Sequence, residues 1–520
     1  MDKVLWGTRL NMTVTGDRVY SHTEHFDMAT PMHAVLLTDL LLKNLDKQSS
    51  IPMQKQMYDT IRFAVLDHTL IAGQKLPSSR ALAADLEISR ITISLTYDRL
   101  IAENYLVTRS GNGTYVAPTL AQPLGAAPES VHTQHSMQLS RRGSQLSSLP
   151  GGMGNTTGAF VPGIADSQAF PFHLWKRLVG RYLSKSNLAL SGYANHGGLS
   201  QLREAIAGYL KISRSVNCDP GQIIITTGTH QAVDLCARLL ADVGDTAIVE
   251  NPCHWAFPTV FAASGLDVAG GEVNEHGFDL ANSYVPPRTK IVVVSPSHHY
   301  PTGVVMPLSR RLELLQSARA QNLWVMEDDY DSEFRYDGAP LPSLQGLDTD
   351  GRVIYIGTFS KAMFAGIRMG FLVVPNHLSE AFATASTKLF RPGTLHLQAA
   401  LADFIHEGHF AQHIRRMRTE YASRQNLLRS SLEKSLGDMV SLSSARAGLH
   451  VFAEFSPQVN YQSMITESRR EGIFLGTPCF VKNVPTLENR CFVLGFGAVP
   501  LERIEAGVQS LTTAMSRSLY

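Results

Sequence analysis

The stretch VIYIGTFSKAMFAGIRMG, Val353 to Gly370, begins as a buried strand (Val353, Ile354, Ile356) and breaks into a turn of small residues, Gly357, Thr358 and Ser360. One lysine, Lys361, follows, and a little later one arginine, Arg368. A lysine just past an apolar strand, among hydroxyls and glycines, suits the half-desolvated mouth of a sheet. Desolvation disfavours the charged form, and a neutral amine can form a Schiff base with an aldehyde. The alternative is a lysine that lays its stem on the strand end and keeps its amine in water, the commoner fate of this side chain. The stretch alone leaves the two readings even.

A second apolar strand runs straight into acid at LWVMEDDYDSEF, Leu323 to Phe334, with Glu327, Asp328, Asp329 and then Tyr330. In open α/β sheets, ligands sit beyond the carboxyl ends of the strands. A carboxylate there can keep a pyridine nitrogen protonated, so that a cofactor ring acts as an electron sink. The competing reading is a solvated acidic turn, or a hard-cation site on Asp328, Asp329, Asp331 and Glu333. No glycine stands where an EF-hand loop needs one, so no metal is expected.

Three motifs, PSHHYPTG (Pro296 to Gly303), EDDYDSEF and GTFSK with Arg368, resemble the aminotransferase-like domain of MocR-type regulators. These are GntR-superfamily proteins built on a fold-type I pyridoxal-phosphate enzyme. The resemblance spans roughly Pro52 to the C-terminus. It implies an α/β body, a winged helix-turn-helix head, pyridoxal 5'-phosphate as cofactor, and double-stranded promoter DNA as partner. It also implies a homodimer that senses a small amine or amino acid, or the cofactor itself.

Composition is compatible with this. The 520 residues are 44% hydrophobic and 18% charged, ordinary for a chain of more than one globular domain. The net charge of +1 names no polyanionic partner by itself. Five cysteines, Cys218, Cys236, Cys253, Cys479 and Cys491, form no CxxC pair, which reads as a reducing cytoplasm without disulfides or structural zinc. No apolar run approaches the roughly 18 residues of a membrane span, and no secretory signal opens the chain.

Residues 1–50 read as a flexible arm, within which Leu36 to Leu45 can form one or two amphipathic turns. Residues 51–117 read as a winged helix-turn-helix. Pro52 to Gly73 is one helix, with Met57, Ile61, Ala64, Val65 and Leu66 on its apolar side and Gly73 as its stop. Ser79 caps a helix to Leu86, and Ser89 caps a second to about Ala102 with Ile93, Tyr97 and Leu100 on one face. The turn Ser110 to Gly113 tips a β-ribbon, with glycine where positive φ is needed. The head holds seven Lys/Arg against six Asp/Glu over residues 52–117, so placement rather than bulk charge must carry DNA binding. LPSSR, SR and the glycine-tipped wing resemble the GntR head. That resemblance implies DNA contact by Ser79, Arg80, Ser89, Arg90, Thr92, Arg109 and Gly113. The helix after SR departs from the usual pattern at Ile91 and Leu95, which leaves base specificity open. The alternative is a winged helix used for protein contacts.

Residues 118–155, rich in Pro, Ser, Gln, Gly and Ala, read as a linker. Residues 156–520 read as the aminotransferase-like body: a mainly parallel sheet wrapped by helices, then a smaller C-terminal subdomain. Apolar runs at Ile223–Thr226, Ala247–Glu250, Ile291–Val294, Leu323–Met326 and Val353–Ile356 alternate with helical spacing at Gln231–Ala241 and Leu308–Ala320.

TTGTHQAVDL, Thr226 to Leu235, is a strand, a glycine turn and a helix start, a place where backbone N–H groups suit a phosphate. Gly228, Thr229 and His230 are the candidates, with Thr358, Ser360 and Arg368 completing the cup. By resemblance, His254 takes the place of the aromatic that stacks on the cofactor ring, and Asp328 pairs with the ring nitrogen. Tyr330 donates to the phenolic oxygen, Tyr300 stands where aminotransferases carry asparagine, and Tyr193 crosses the dimer interface to the phosphate. Lys361 binds the cofactor aldehyde and, in an enzyme, shuttles the proton. Val493 stands where the substrate-carboxylate arginine is common, with Arg490 and Arg446 as substitutes. The leading expectation is a pyridoxal-phosphate-dependent transcriptional regulator of metabolic genes. The alternatives are an active aminotransferase with a DNA-binding head, and a scaffold with no cofactor.

Overall fold

A computed structural model describes residues 32–520 except 110, 119–138, 149–156, 184, 194–195, 339–341, 392, 445–446 and 482–489. The chain divides into two compact units, Met1–Met137 and Gln138–Tyr520.

The head is built from α1 (Met32–Asn44), α2 (Met53–Leu66), α3 (Ser79–Leu86), α4 (Arg90–Ala102), β1 (Leu106–Arg109) and β2 (Gly113–Val116). The flexible arm expected over residues 1–50 is corrected in its second part. There α1 places Leu37 and Leu41, one turn apart, in the same buried cluster as Met57, Ile61, Ile93 and Leu100. Residues 1–31 of that expectation lie outside the described residues. Helix α2 stops seven residues before Gly73: His68 turns left-handed (φ 64°) and the Asp67 carboxylate accepts the Thr69 N–H at 2.9 Å. Leu66 is consequently exposed, and Tyr58 takes a buried place instead. Ser78, not Ser79, caps α3, its hydroxyl accepting from the Ala81 N–H at 3.1 Å, and Ser89 caps α4 by position alone. The β1–β2 wing pairs antiparallel from Leu106↔Val116 to Arg109↔Gly113, and Ser110 in its tip lies outside the described residues.

In the body, α5 (Arg141–Ser148) falls inside the stretch read as a linker; the rest of that stretch lies almost wholly outside the described residues. Its Arg142 guanidinium reaches Gly265 at the end of the later helix Ala256–Ser264, which ties part of the supposed linker to the body. The large layer runs α6 (Phe172–Tyr182), α7 (Ser200–Ser213), β3 (Ile223–Thr226), α8 (Thr229–Leu240), β4 (Thr246–Asn251), α9 (Ala256–Ser264), β5 (Asp267–Asn274), β6 (Gly277–Phe278), β7 (Thr289–Val294), α10 (Leu308–Ala320), β8 (Trp324–Asp329), α11 (Leu344–Leu347), β9 (Val353–Thr358) and β10 (Gly370–Val373). Helices α12 (Ser379–Leu389) and α13 (Leu395–His406) return to this layer, α12 packing on β3 and α8 and α13 on α6 and α7. The smaller part runs α14 (His409–Leu436), β11 (Val440–Leu442), β12 (His450–Phe455), α15 (Tyr461–Arg470), β13 (Cys491–Gly495) and α16 (Ile504–Ser516).

Eight strands form one sheet in the order β3-β10-β9-β8-β7-β4-β5-β6. Strands β9, β8, β7, β4 and β5 pair parallel, and β10 lies antiparallel between β3 and β9. The central strands are buried on both faces, as Ile291, Val293, Val325, Met326, Ile354 and Ile356 show, which is why they read as continuous apolar runs rather than alternating ones. Strands β11-β12-β13 make a separate antiparallel sheet. Four strands went unread in the sequence: β5 carries Gly270 and Gly271 among polar residues, and β6, β10 and β11 are only two, four and three residues long.

Candidate functional site

Strands β8 and β9 are neighbours, so their carboxyl ends bring the two motifs together. A cavity of about 1260 Å³ opens there, lined by Gly228, Thr229, His230, His254, Tyr300, Asp328, Tyr330, Thr358, Ser360, Lys361 and Arg368. Eleven of the twelve expected cofactor residues therefore share one wall, and Tyr193 is the exception. Tyr193 is 77% exposed, with the Arg391 guanidinium 5.1 Å from its ring. Its expected role needs a second chain.

The Lys361 amine donates to the Gly163 carbonyl at 2.7 Å. Burial pulls its pKa down; Asp331 and Asp328 oppose that, and Arg368 reinforces it. The reading of this lysine as a solvated strand-end side chain does not fit such a position. Asp328 is buried, and its Oδ1 has no hydrogen-bond partner. Burial, with Asp329 and Asp331 nearby, pushes its carboxyl up to about 8. An orphaned buried carboxylate oxygen carries a desolvation cost that a cationic N–H in the cavity would relieve.

Strand alternation explains why only one of the three acids faces the cavity. Glu327 accepts the N–H groups of Leu344 and Gln345, both at 2.9 Å, and so caps α11. Asp329 accepts from Arg214 Nε at 2.7 Å and from the Tyr355 hydroxyl. Asp331 faces His298 Nδ1 at 3.0 Å. Two of the four acids of the hard-cation reading, Asp329 and Asp331, thus have partners within the protein. Among the described residues no group of His, Cys, Asp and Glu is arranged to hold a metal.

At the phosphate end, Gly228 takes φ 114° to turn β3 into α8, and no side chain caps that helix. Its first N–H groups, at Thr229 and His230, are thus available to an anion. Arg368, itself left-handed at φ 46°, brings its guanidinium to within 3.6 Å of where a Gly228 side chain would begin. The His254 imidazole is half-buried and held neutral, its pKa pushed down to about 3 by desolvation and then by Lys361 and His230. It meets Trp255 at 5.6 Å and the Tyr300 ring edge-on at 5.3 Å.

The Tyr330 hydroxyl lies 3.0 Å from the same His298 nitrogen that faces Asp331. When that nitrogen donates to the carboxylate, it has no lone pair left for the tyrosine hydrogen, which then points to other acceptors. Gly448 makes this cluster possible, since a Cβ there would sit 2.1 Å from the His298 ring. His299, by contrast, is spent on Thr302 and the Pro252 carbonyl.

Sequence reasoning missed several lining residues: Gly163, Trp255, Asp331, His450, Cys479 and Arg469. Asp331 was legible as part of EDDYDSEF and Trp255 as the neighbour of His254; the others come from distant segments with no motif of their own. Val493 is fully buried beside Phe452 and Cys491, with Tyr300 packed against them. Arg490 pairs with Glu454 at 3.3 Å and does not line the cavity, and Arg446 lies outside the described residues. Of the lining residues, the cations are Lys361, Arg368 and Arg469.

In the head, Arg80, Ser89, Arg90, Arg109 and Gly113 are exposed, and Ser79 and Thr92 are half-buried. They occupy the starts of α3 and α4 and the wing, where Gly113 takes φ 104° and the Arg109 guanidinium stands 4.6 Å over the Tyr115 ring.

Two family models match the chain: aminotransferase class I and II over residues 169–474, and bacterial regulatory proteins of the gntR family over residues 53–116. The chain is 37% identical over 471 residues to the probable rhizopine catabolism regulatory protein MocR of Rhizobium meliloti, covering 90% of this chain and 95% of that one. It is 30% identical over 418 residues to the pyridoxine biosynthesis transcriptional regulator PdxR of Corynebacterium glutamicum, covering 80% and 86%. The solved α-aminoadipate aminotransferase LysN of Thermus thermophilus superposes with a TM-score of 0.64 at 24% identity, over 73% of this chain and 95% of that one, a likeness of fold. With one model matched over more than half its length and a regulator matched nearly end to end, this chain belongs to the MocR-type regulators, a gntR-family head joined to a class I and II aminotransferase body.

Proposed function

We propose that the chain is a DNA-binding transcriptional regulator of metabolic genes whose body holds pyridoxal 5'-phosphate and senses a small amine or amino acid, or the cofactor itself. The observation that carries the cofactor reading is the orphaned Asp328 Oδ1 facing a cavity that also holds the desolvated Lys361 amine. That pair fits a ring with a protonated nitrogen and an aldehyde. Gly228, Thr229, His230, Thr358, Ser360 and Arg368 would hold its phosphate, His254 would pack on its ring, and Tyr330 would donate to its phenolic oxygen. When bound, the group supplies an aldehyde for amines and a ring that withdraws electrons.

The chain's own contribution is positional. Burial lowers the pKa of Lys361 and so favours its nucleophilic amine form, and Asp328 supplies the negative charge that a ring N–H⁺ needs. His254 stays uncharged, so it adds no repulsion against the lysine. The names of the relatives, a rhizopine catabolism regulator and a pyridoxine biosynthesis regulator, support a regulator tied to small-molecule metabolism. Linkage then requires the bound effector to favour one arrangement of DNA-binding heads over another, in a homodimer whose Tyr193 would complete the neighbouring site. Val493, apolar and buried where a substrate-carboxylate arginine is common, favours sensing over turnover.

The test is spectroscopic and genetic together. Purified protein should carry a yellow chromophore that borohydride bleaches and fixes to Lys361, located by mass spectrometry, and Lys361→Ala should hold none covalently. A footprint upstream of the protein's own reading frame should change with pyridoxal phosphate. A colourless protein that gains no colour with added cofactor sinks the sensor. Steady turnover of amino-acid and keto-acid pairs would move the reading to an aminotransferase.

A further inference from the structure

The DNA-binding reading leaves open how the head tells one base from another, and the recognition helix carries an uncommon pair. On α4, the residues Ile93, Thr96, Tyr97 and Leu100 are buried against the head. The opposite side presents Ile91 and Leu95, 71% and 48% exposed. Positions four apart lie on one stripe of a helix, so these two branched aliphatic side chains form a continuous apolar ridge near its N-terminal end. Exposed charge flanks that ridge along α4, with Arg90 directly before Ile91 and the acid Asp98 three residues past Leu95. Arg90 stands at its start, Arg80 opens the preceding helix, and Arg109 stands in the wing. Arg99, farther along, is already paired to Glu103 and stacked on Tyr58.

An aliphatic ridge can neither donate nor accept a hydrogen bond. In the major groove one standard base offers it a match: the C5-methyl group of thymine, the apolar feature in an otherwise polar pattern of base edges. We propose that Ile91 and Leu95 read thymine methyl groups, so that the head's sequence preference rests on apolar contact rather than on paired hydrogen bonds. The flanking arginines favour a duplex over a second copy of the head as the occupant, because an apolar ridge framed by cations matches a groove floor framed by phosphates. The proposal rests on the DNA-binding reading above and goes one step beyond it.

The full-length protein is used to select duplexes from a randomised library. Its affinity is then measured for the best duplex and for the same duplex with deoxyuridine in place of thymidine. That exchange removes the methyl groups and leaves every hydrogen-bonding edge intact. Wild-type affinity should fall about four-fold for each methyl in contact, the worth of one buried carbon. Ile91→Ala and Leu95→Ala should bind the two duplexes more nearly alike, with melting curves unchanged because both positions are exposed. Equal wild-type binding to the two duplexes overturns the proposal while DNA binding stands. So do variants that keep the full wild-type discrimination. Enrichment of no duplex removes the DNA-binding reading and this proposal with it. If the alanine variants instead separate a dimer and leave thymine discrimination untouched, the ridge is an interface between copies and the proposal falls.

Discussion

Glu327, Asp328 and Asp329 are three consecutive carboxylates on one strand, and their surroundings differ by face. On one face, Glu327 caps α11 through two backbone N–H groups, and Asp329 neutralises Arg214 and takes the Tyr355 hydroxyl. On the other face, Asp328 keeps an oxygen with no partner at the wall of a large cavity. A fold satisfies the polar groups it buries for its own sake, and one left unsatisfied beside a cavity marks where a ligand is expected. The same type of group is spent on the fold's own partners at 329 and left with an unpartnered oxygen at 328.

The largest effect should come from the closed face. Asp329→Asn leaves Arg214 buried with its principal counter-charge gone; the two side chains are 2% and 6% exposed. Losing one member of a buried pair costs about 3–5 kcal/mol, to be read as a lower denaturation midpoint of the body. The surviving folded fraction should keep its chromophore. Chromophore loss with unchanged stability would place Asp329, not Asp328, at the cofactor.

Asp328→Asn should do the reverse. It replaces a buried carboxyl whose Oδ1 has no partner in the ligand-free protein, so thermal stability without cofactor should hold or rise. Pyridoxal phosphate should bind about 10- to 100-fold more weakly, the range for losing one charge-assisted hydrogen bond. Equilibrium binding followed by absorbance measures this. A variant that binds as tightly as the wild type would show that the orphaned oxygen marks no ring nitrogen.

This contrast was only partly legible in the sequence. EDDY and SK announced a site because charged residues directly after apolar strands are costly to place and hence informative. Which of the three acids faces the ligand follows from strand alternation, and Asp328 could be chosen on resemblance before its face was visible. Gly163, Gly448 and Arg469 could not be found, because each is brought in by tertiary packing from a segment whose local pattern is unexceptional. The head shows the same limit: α1 was read as one or two turns because its stabilisation comes from burying Leu37 and Leu41 rather than from its own caps. Helix α2 was read too long, since the left-handed turn at His68 carries neither Gly nor Pro to announce it.

The pH dependence of the ligand-free body sharpens the comparison further. Burial raises the carboxyls of Asp328 and Glu250 to about 8 and those of Glu327 and Glu333 to about 7. Each therefore holds its proton more firmly folded than unfolded. Below about pH 6.5 the neutral buried His254, His299, His413 and His450, lowered to about 3 or 4, oppose these acids. Between roughly pH 6.5 and pH 8 the acids leave the native state with more protons than the unfolded one, so stability falls as pH rises through that window and levels off above it. Melting temperatures from about pH 6.5 to pH 8.5 at fixed ionic strength should show this decline. Asp328→Asn should make the slope shallower, most clearly toward the alkaline end. A slope identical to the wild type would mean that Asp328 is not a protonated buried acid in the ligand-free protein.

The smallest expected effect tests the hydroxyl rather than the charge. Tyr330 and Asp331 both approach His298 Nδ1 at 3.0 Å, yet that nitrogen carries at most one hydrogen and one role at a time. Asp331 should win the N–H, because the tyrosine has its own hydrogen to place elsewhere, leaving that hydrogen for the cavity. Tyr330→Phe then removes one neutral hydrogen bond to the cofactor and leaves the Asp331–His298 pair intact. Such a bond is worth about 1 kcal/mol, or roughly a five-fold loss of pyridoxal-phosphate affinity, together with a shift in the absorbance maximum as the phenolic oxygen loses its donor. Asp331→Asn should act differently: it frees the histidine to accept from Tyr330, turning the hydroxyl away from the cavity and reproducing the spectral shift with the tyrosine still present. If Tyr330→Phe shifts the spectrum and Asp331→Asn does not, the histidine is not what directs the hydroxyl, and the open face of β8 is organised by Asp328 and Lys361 alone.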